Sequence, residues 1–496
     1  MREMKAMKKL YYNLVLTLVA AVLAVGCTED LTGDVNGAVA GSDFEYIEVT
    51  AGLESAESRT TLTDSGNGGM MTWSAGDAIG AIMEDGTITE CVATAVDGAS
   101  ATFSVPSGTK YAVYPYASGD TFNAESGLSK TLVNTVTLDG SKQVFDDGQN
   151  VMCAHLVDGH LSFRNLCGYI EIKLKGTEVV KHIALRDNSN NWDALSGLGT
   201  IDLSDATNPV FTPGTNHGST YNWMYAKCTD VQLSSSEATS FYLAVPPRAY
   251  KNLSICVVTD KGSYSTISQN TITVNRSSIR PLAAIDVDAL APTATTDLSA
   301  AGVANCYIVP QSADAKSYSF PARKINGTAN LENVAYAHIS WSESASLINN
   351  VCYDAATGMV SFKYEGNNAE GNAHITLLDA SHKIIWYNHI WCTDQPARLA
   401  IHTPSKVYAI LDRNLGATYT PTTVAEASSI SAQNASDALG LYYQYGRPNP
   451  YPRANSISGG NDSSAFKGNT RIAVQYAFAV YNQHFLSSRS CNRRYQ

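Results

Sequence analysis

The residue types that carry out chemistry are present in this chain, but few stand in working arrangements. Ten cysteines occur at spacings that nowhere form C-x-x-C, so neither a zinc site nor a redox dithiol is read from them. Several, such as Cys256 inside Leu253–Val258, sit in apolar runs and read as small buried residues, with one or two disulfides at most expected. His389 stands between Trp386 and Trp391 and would serve as a general base if Asp379 or Asp394 came beside it. Strand alternation, however, puts Tyr387, His389 and Trp391 on one face, the grouping of a packed core around one satisfied polar group. Asp146 and Asp147 are sequence neighbours, so in a strand their carboxylates point apart and make no acid–base pair. Asp412-Arg413-Asn414 reads as a hydrogen-bonded turn. G-x-S-x-G, H-E-x-x-H, G-x-G-x-x-G and P-loop patterns are absent. No catalytic residue, metal ligand or cofactor is assigned, and the chain is read as a non-enzyme.

Two other groups of residues carry chemistry of a different kind. Trp341, Trp386, Tyr387, Trp391, Tyr442, Tyr443 and Tyr445 would stack on sugar rings where they face solvent, or fill the cores of small β-domains where they do not. Trp386, Tyr387 and Trp391 are the candidate ligand-binding residues. At the N-terminus, Arg2, Lys5, Lys8 and Lys9 precede an uncharged apolar run from Leu14 to Val25, closed by Gly26-Cys27. That is the layout of a secretory signal peptide, and its 12-residue run falls short of the roughly 20 that a membrane-spanning helix needs. Leu23-Ala24-Val25-Gly26-Cys27 resembles a bacterial lipobox, which makes Cys27 the candidate lipidation site. Each buried methylene of an acyl chain contributes about 0.8 kcal/mol, so two or more chains hold a protein to a membrane stably. Thr28-Glu29-Asp30 resembles the acidic tag of surface-directed lipoproteins.

The elements that would position these residues are strands. Charged residues make up only 16% of the 496, tyrosine alone counts 27, and apolar segments recur with turn residues about every ten positions, the rhythm of sandwiches or barrels. Ile170, Ile172 and Leu174 alternate with Glu171, Lys173 and Lys175, and Phe241, Leu243 and Val245 repeat the pattern. A net charge of −11 leaves no basic patch to neutralise phosphates and argues against a nucleic-acid partner. The expected organisation is a signal peptide over 1–26, a tether over 27–43, β-sandwiches over 44–165 and 166–288, and a linker over 289–304. A β-rich extension follows over 305–403, and 404–496 is read as a final, truncated segment with a helix expected over Thr470–Leu486.

Against this frame several motifs resemble a known family. Arg59-Thr60, a Gly-rich gap, then Trp73-Ser74-x-Gly76-Asp77-x-Ile79-Gly80, with Tyr114-Pro115-Tyr116 and Phe241 through Ile255, are similar to the fimbrillins, subunits of type V pili of Gram-negative anaerobes. Ala304 to Val309, Gly371-Asn372-Ala373, Ile385 to Trp391, Asp412 to Ala417 and Gly440 to Arg447 resemble the C-terminal extension of tip-type fimbrillins. The resemblance implies tandem transthyretin-like β-sandwiches and an adhesive, tip or accessory subunit reaching the outer membrane as a lipoprotein. It also implies that a protease removes the acylated piece with one strand, and that a neighbouring subunit refills the groove by β-strand addition. Arg59 is then the candidate maturation residue; as a surface strand residue it would have no such role. The rival expectation is a tethered lipoprotein that binds glycans or host surface proteins without polymerising. Metabolic labelling with clickable palmitate is expected to mark the protein; an unlabelled protein, or one recovered with soluble cell contents, removes the lipoprotein reading.

Overall fold

Alternating inward residues, many of them β-branched and aromatic, build strands along most of the described residues. The computed structural model describes residues 45–54, 72–139, 149–187, 194–214, 223–292, 294–402, 404–405, 407–421 and 423–441. Cys27, Arg59, Asp146-Asp147, Tyr442, Tyr443, Tyr445 and the helix expected over Thr470–Leu486 lie outside the described residues. Among the described residues helix is scarce, with a 3-10 turn at Val287–Ala289 and short helices at Val424–Ser428 and Ala432–Leu439, so the all-β class expected from the sequence holds.

Ten strands occupy the first part of the chain: β1 (Tyr46–Leu53), β2 (Ala78–Met83), β3 (Ile88–Asp97), β4 (Ser100–Pro106), β5 (Thr109–Tyr114), β6 (Thr121–Asn123), β7 (Gly127–Leu132), β8 (Thr135–Asp139), β9 (Met152–Val157) and β10 (His160–Asn165). Seven of them close into a barrel in the order β1-β10-β9-β5-β2-β3-β4. Its interior holds Val49, Ala51, Phe103, Leu161 and Phe163. The Trp73 ring closes one region of that core through edge-on contacts with Phe103, Tyr114 and Phe163 at 5.2–5.3 Å. The Trp73-Ser74-x-Gly76-Asp77 motif thus serves packing: Asp77 accepts from the Ser74 backbone N–H and from the Tyr114 hydroxyl.

Strands β6, β7 and β8 leave the barrel. β7 pairs with Gly197–Asp202 and β8 runs parallel to Trp223–Gln232, which interlocks the first part of the chain with the next. Lys130 of β7 is buried against Asp120 at 2.7 Å and also donates to the Pro115 carbonyl. Burial pushes the ammonium below its ordinary range, and Asp120 counters part of that.

Beyond the barrel, one nine-stranded sheet is shared by two sandwiches. At one end, Val179–Asp187, Trp223–Gln232 and Leu253–Thr259 face the sheet of Gly168–Lys175 and Thr239–Val245 across Ile172, Phe241, Ile183 and Val257. At the other end, Lys316–Pro321, Ile348–Asp354 and Met359–Tyr364 face the sheet of Cys306–Pro310, Ile384–Thr393, Gly371–Leu378 and Tyr336–Ser342 across Phe320, Phe362, Ile375 and Ile390. The two ends join where Gly262–Ile267 pairs with Ile348–Asp354. A Cβ on Gly262 would collide with the Tyr353 carbonyl oxygen; glycine is what permits this approach. The stretch over 289–304 enters the same sheet through Thr296–Asp297, paired with Tyr318 and Ser319.

The outer face near this join is covered too. Ala184, Trp223, Tyr225, Cys256 and Val258 pack against Tyr336 and Leu378. That covering of both faces explains why every residue of Leu253–Thr259 is buried, with only Ser254 and Thr259 polar. Three histidines sit in this joint: His182 meets Tyr336 and His382 edge-on, the His382 ring stacks on Tyr225, and His338 meets Trp223. Burial drives all three down, to about 3 for His182 and His338 and to about 4 for His382. His182 is pressed further by His382 and Lys227, and His338 by Arg186. Their folded values lie below the unfolded value of about 6.5, so their contribution is complete above pH 6.5 and is lost progressively as pH falls from there through the folded values.

Two outcomes are expected. His182 and His338 should each cost about 1.4 kcal/mol of stability per pH unit below 6.5, seen as a falling urea midpoint between pH 7.5 and 5.5; an unmoved midpoint contradicts this. Gly262→Ala should cost about 2–3 kcal/mol at neutral pH in the same assay.

Candidate functional site

The aromatic strand expected to bind ligands is largely turned inward. In Ile384–Thr393, Trp391 is wholly buried and donates its indole N–H to the Ala417 carbonyl at 3.1 Å. Trp386 is half-buried against the core of the last sandwich, with the Lys324 ammonium 5.7 Å from its ring centroid. Tyr387 is half-buried as well. The three therefore form no common aromatic platform: Trp391 offers no face to solvent.

His389 lies in the same buried layer. Its Nε2 is 2.9 Å from Asn372 Oδ1, while Asn372 Nδ2 donates to Glu343 and to the Gly416 carbonyl. With the amide nitrogen so committed, Oδ1 is the acceptor and His389 Nε2 carries the proton. Burial, then His374, holds its basicity far below the usual histidine range. The carboxylates considered beside it have other partners. Asp379 caps a turn through the Ser381 and Lys383 backbone N–H groups, and Asp394 pairs with Arg413. Arg413 also binds Asp412, and Asn414 reaches the Ala438 carbonyl, the turn network read from Asp412-Arg413-Asn414. The eight described cysteines are all free, and no group of metal-ligating side chains occurs among the described residues.

The arrangement with a different potential is the first strand. β1 runs antiparallel to β4, with Val49 opposite Phe103, and parallel to β10, with Leu53 opposite Phe163. Ile47, Val49, Ala51 and Leu53 point inward, and Glu48 and Thr50 outward. The other barrel strands are mostly joined by tight turns, at 84–87, 98–99, 107–108 and 158–159, whereas β1 is connected to β2 through residues 54–77. Removing β1 therefore severs one connection and opens one slot. Beside Leu53 a small cavity of about 20 Å³, lined by Trp73, Asp77, Tyr114, Asn150 and Met152, has room for about one water.

Sequence reasoning missed how β1 ends. The Glu54 carboxylate is 5% exposed and accepts from Arg276 Nη1 at 2.8 Å and Nη2 at 3.1 Å. It also accepts from the Asn165 backbone N–H at 3.2 Å and from Arg164 Nη1 at 3.4 Å. Arg276 further donates to the Asn165 carbonyl at 2.9 Å. It lies between the strands Ile272–Val274 and Ile279–Pro281, so the clamp ties the first strand to the second part of the chain. The fork of Arg276 on one carboxylate is the strong, geometrically specific form of the interaction. Glu54 and Arg276 are 222 positions apart, and no local pattern links them; the one signal was a carboxylate placed straight after an alternating strand.

No protein-family profile matches the chain, and no curated protein does. Among solved structures, the chain is similar to a fimbrial protein from Bacteroides ovatus ATCC 8483, at 14% identity and a TM-score of 0.21. The likeness covers 48% of this chain and 49% of that one, so it spans about half the length of the solved protein.

Proposed function

We propose that the chain is a surface lipoprotein that serves as a fimbrial tip or accessory subunit and contributes to adhesion. It is acylated at Cys27, held at the outer membrane, and released for assembly by proteolysis after Arg59. The observation that carries this reading is the position of β1: the first described strand, which closes a barrel, is hydrogen-bonded on both edges and is connected to its domain through the segment that contains Arg59. Cleavage there leaves β1 held by non-covalent contacts alone. Its departure strands the edges of β4 and β10 and the inward positions of Ile47, Val49, Ala51 and Leu53, and a strand of the neighbouring subunit satisfies both at once.

The test is N-terminal sequencing of protein recovered from sheared surface filaments. A start at Thr60 is expected, and Arg59→Ala should leave the Cys27 terminus in the membrane and deplete the filament fraction at least about tenfold. Filaments that retain acylated Cys27, or an Arg59→Ala protein with an unchanged mature terminus, overturn the proposal.

A further inference from the structure

The clamp on Glu54 specifies what the replacing strand must carry. We infer that the groove vacated by β1 selects an incoming strand with a carboxylate immediately after its last inward apolar residue, the position Glu54 holds in the precursor. The inference rests on the strand-exchange reading and adds to it the chemistry of the partner.

Arg276 and Arg164 stay with the body of the protein when β1 and Glu54 leave. Arg276 is anchored independently of Glu54 by its bond to the Asn165 carbonyl, and its neighbour Ser277 donates its backbone N–H to the Cys167 carbonyl at 2.9 Å. The Arg276 and Arg164 side chains are only 20% and 28% exposed, and their Nε atoms are buried without a hydrogen-bond partner. Two cations thus converge on a single carboxylate, with donor capacity to spare. Emptied, the site leaves two partly buried cations without their counter-charge, which is costly. A strand that filled the apolar slot but ended in a neutral residue would leave that cost unrelieved, whereas Glu or Asp restores the fork. Steric fit alone imposes no such demand, since Ile47, Val49, Ala51 and Leu53 ask only for apolar side chains of modest size. Glu48, on the outward face of the same strand, provides an internal control: it is a carboxylate of the same peptide that does not enter the clamp.

The experiment uses the full chain, cleaved after Arg59 by an Arg-directed protease and challenged with an excess of fluorescein-labelled peptides. The peptides comprise residues 46–54, unaltered or carrying Glu54→Gln or Glu48→Gln, and uptake is read by fluorescence anisotropy. The unaltered and Glu48→Gln peptides are expected to bind alike, and Glu54→Gln about thirtyfold more weakly or worse. In Arg276→Gln protein the preference for Glu54 over its Gln variant should shrink to within about threefold. The peptide comparison on unmutated protein decides the matter even where Arg276→Gln fails to fold. Equal uptake of the Glu54 and Gln peptides overturns the selection and leaves strand exchange standing. No uptake of any peptide overturns both.

Discussion

Backbone hydrogen bonding to the first strand is the constraint on which the N-terminal part of this protein depends. In a closed barrel every strand satisfies its neighbours on both sides, and no edge is left to template association. Here closure is completed by the strand nearest the N-terminus, which lies parallel to β10 and antiparallel to β4. The core follows from that closure, because the fully buried rings of Phe103 and Phe163 lie opposite β1 residues.

Farther along, the logic is reversed. The second and third parts of the chain share a sheet, paired directly between Gly262–Ile267 and Ile348–Asp354, and the aromatic joint around His182, Tyr336 and His382 covers the outer face. A continuous ladder and a covered face leave little freedom for a hinge. β7 and β8 carry the connection back to the barrel's own chain segment.

The all-β class was legible in the sequence because period-two alternation is a local signal. Gly168–Lys175, Thr239–Val245 and Leu253–Thr259 formed where Ile170, Phe241 and Leu253 announced them. The strands Lys316–Pro321 and Ile348–Asp354 were not legible: serines and asparagines interrupt their apolar residues, and Asn349 is spent on the Ile267 backbone instead of on a surface. The departure of β6 to β8 from the barrel could not be read either, since pairing partners far apart in sequence leave no periodic trace. At Trp391 the sequence fixes an aromatic residue on a strand, but the choice between stacking platform and core depends on the Ala417 segment folding over it. Glu54 illustrates the same limit for charge, because its meaning lies in Arg276.

That charge also answers a question which apolar alternation cannot. A strand entering a slot can slip by two residues and still present apolar side chains inward, because the pattern repeats every second position. The inward residues of β1 are of similar character, and Gly52 next to the small Ala51 adds little to discriminate one register from the next. No other buried carboxylate occurs along this strand. Glu54 meets Arg276 and the Asn165 N–H in one register only, and a slip by two residues moves it some 6–7 Å away. Buried ion pairs often return little net stability for the desolvation they cost, but removing one partner is heavily penalised. At the end of a strand those properties suit each other: the pair need not bind tightly to reject every wrong alignment.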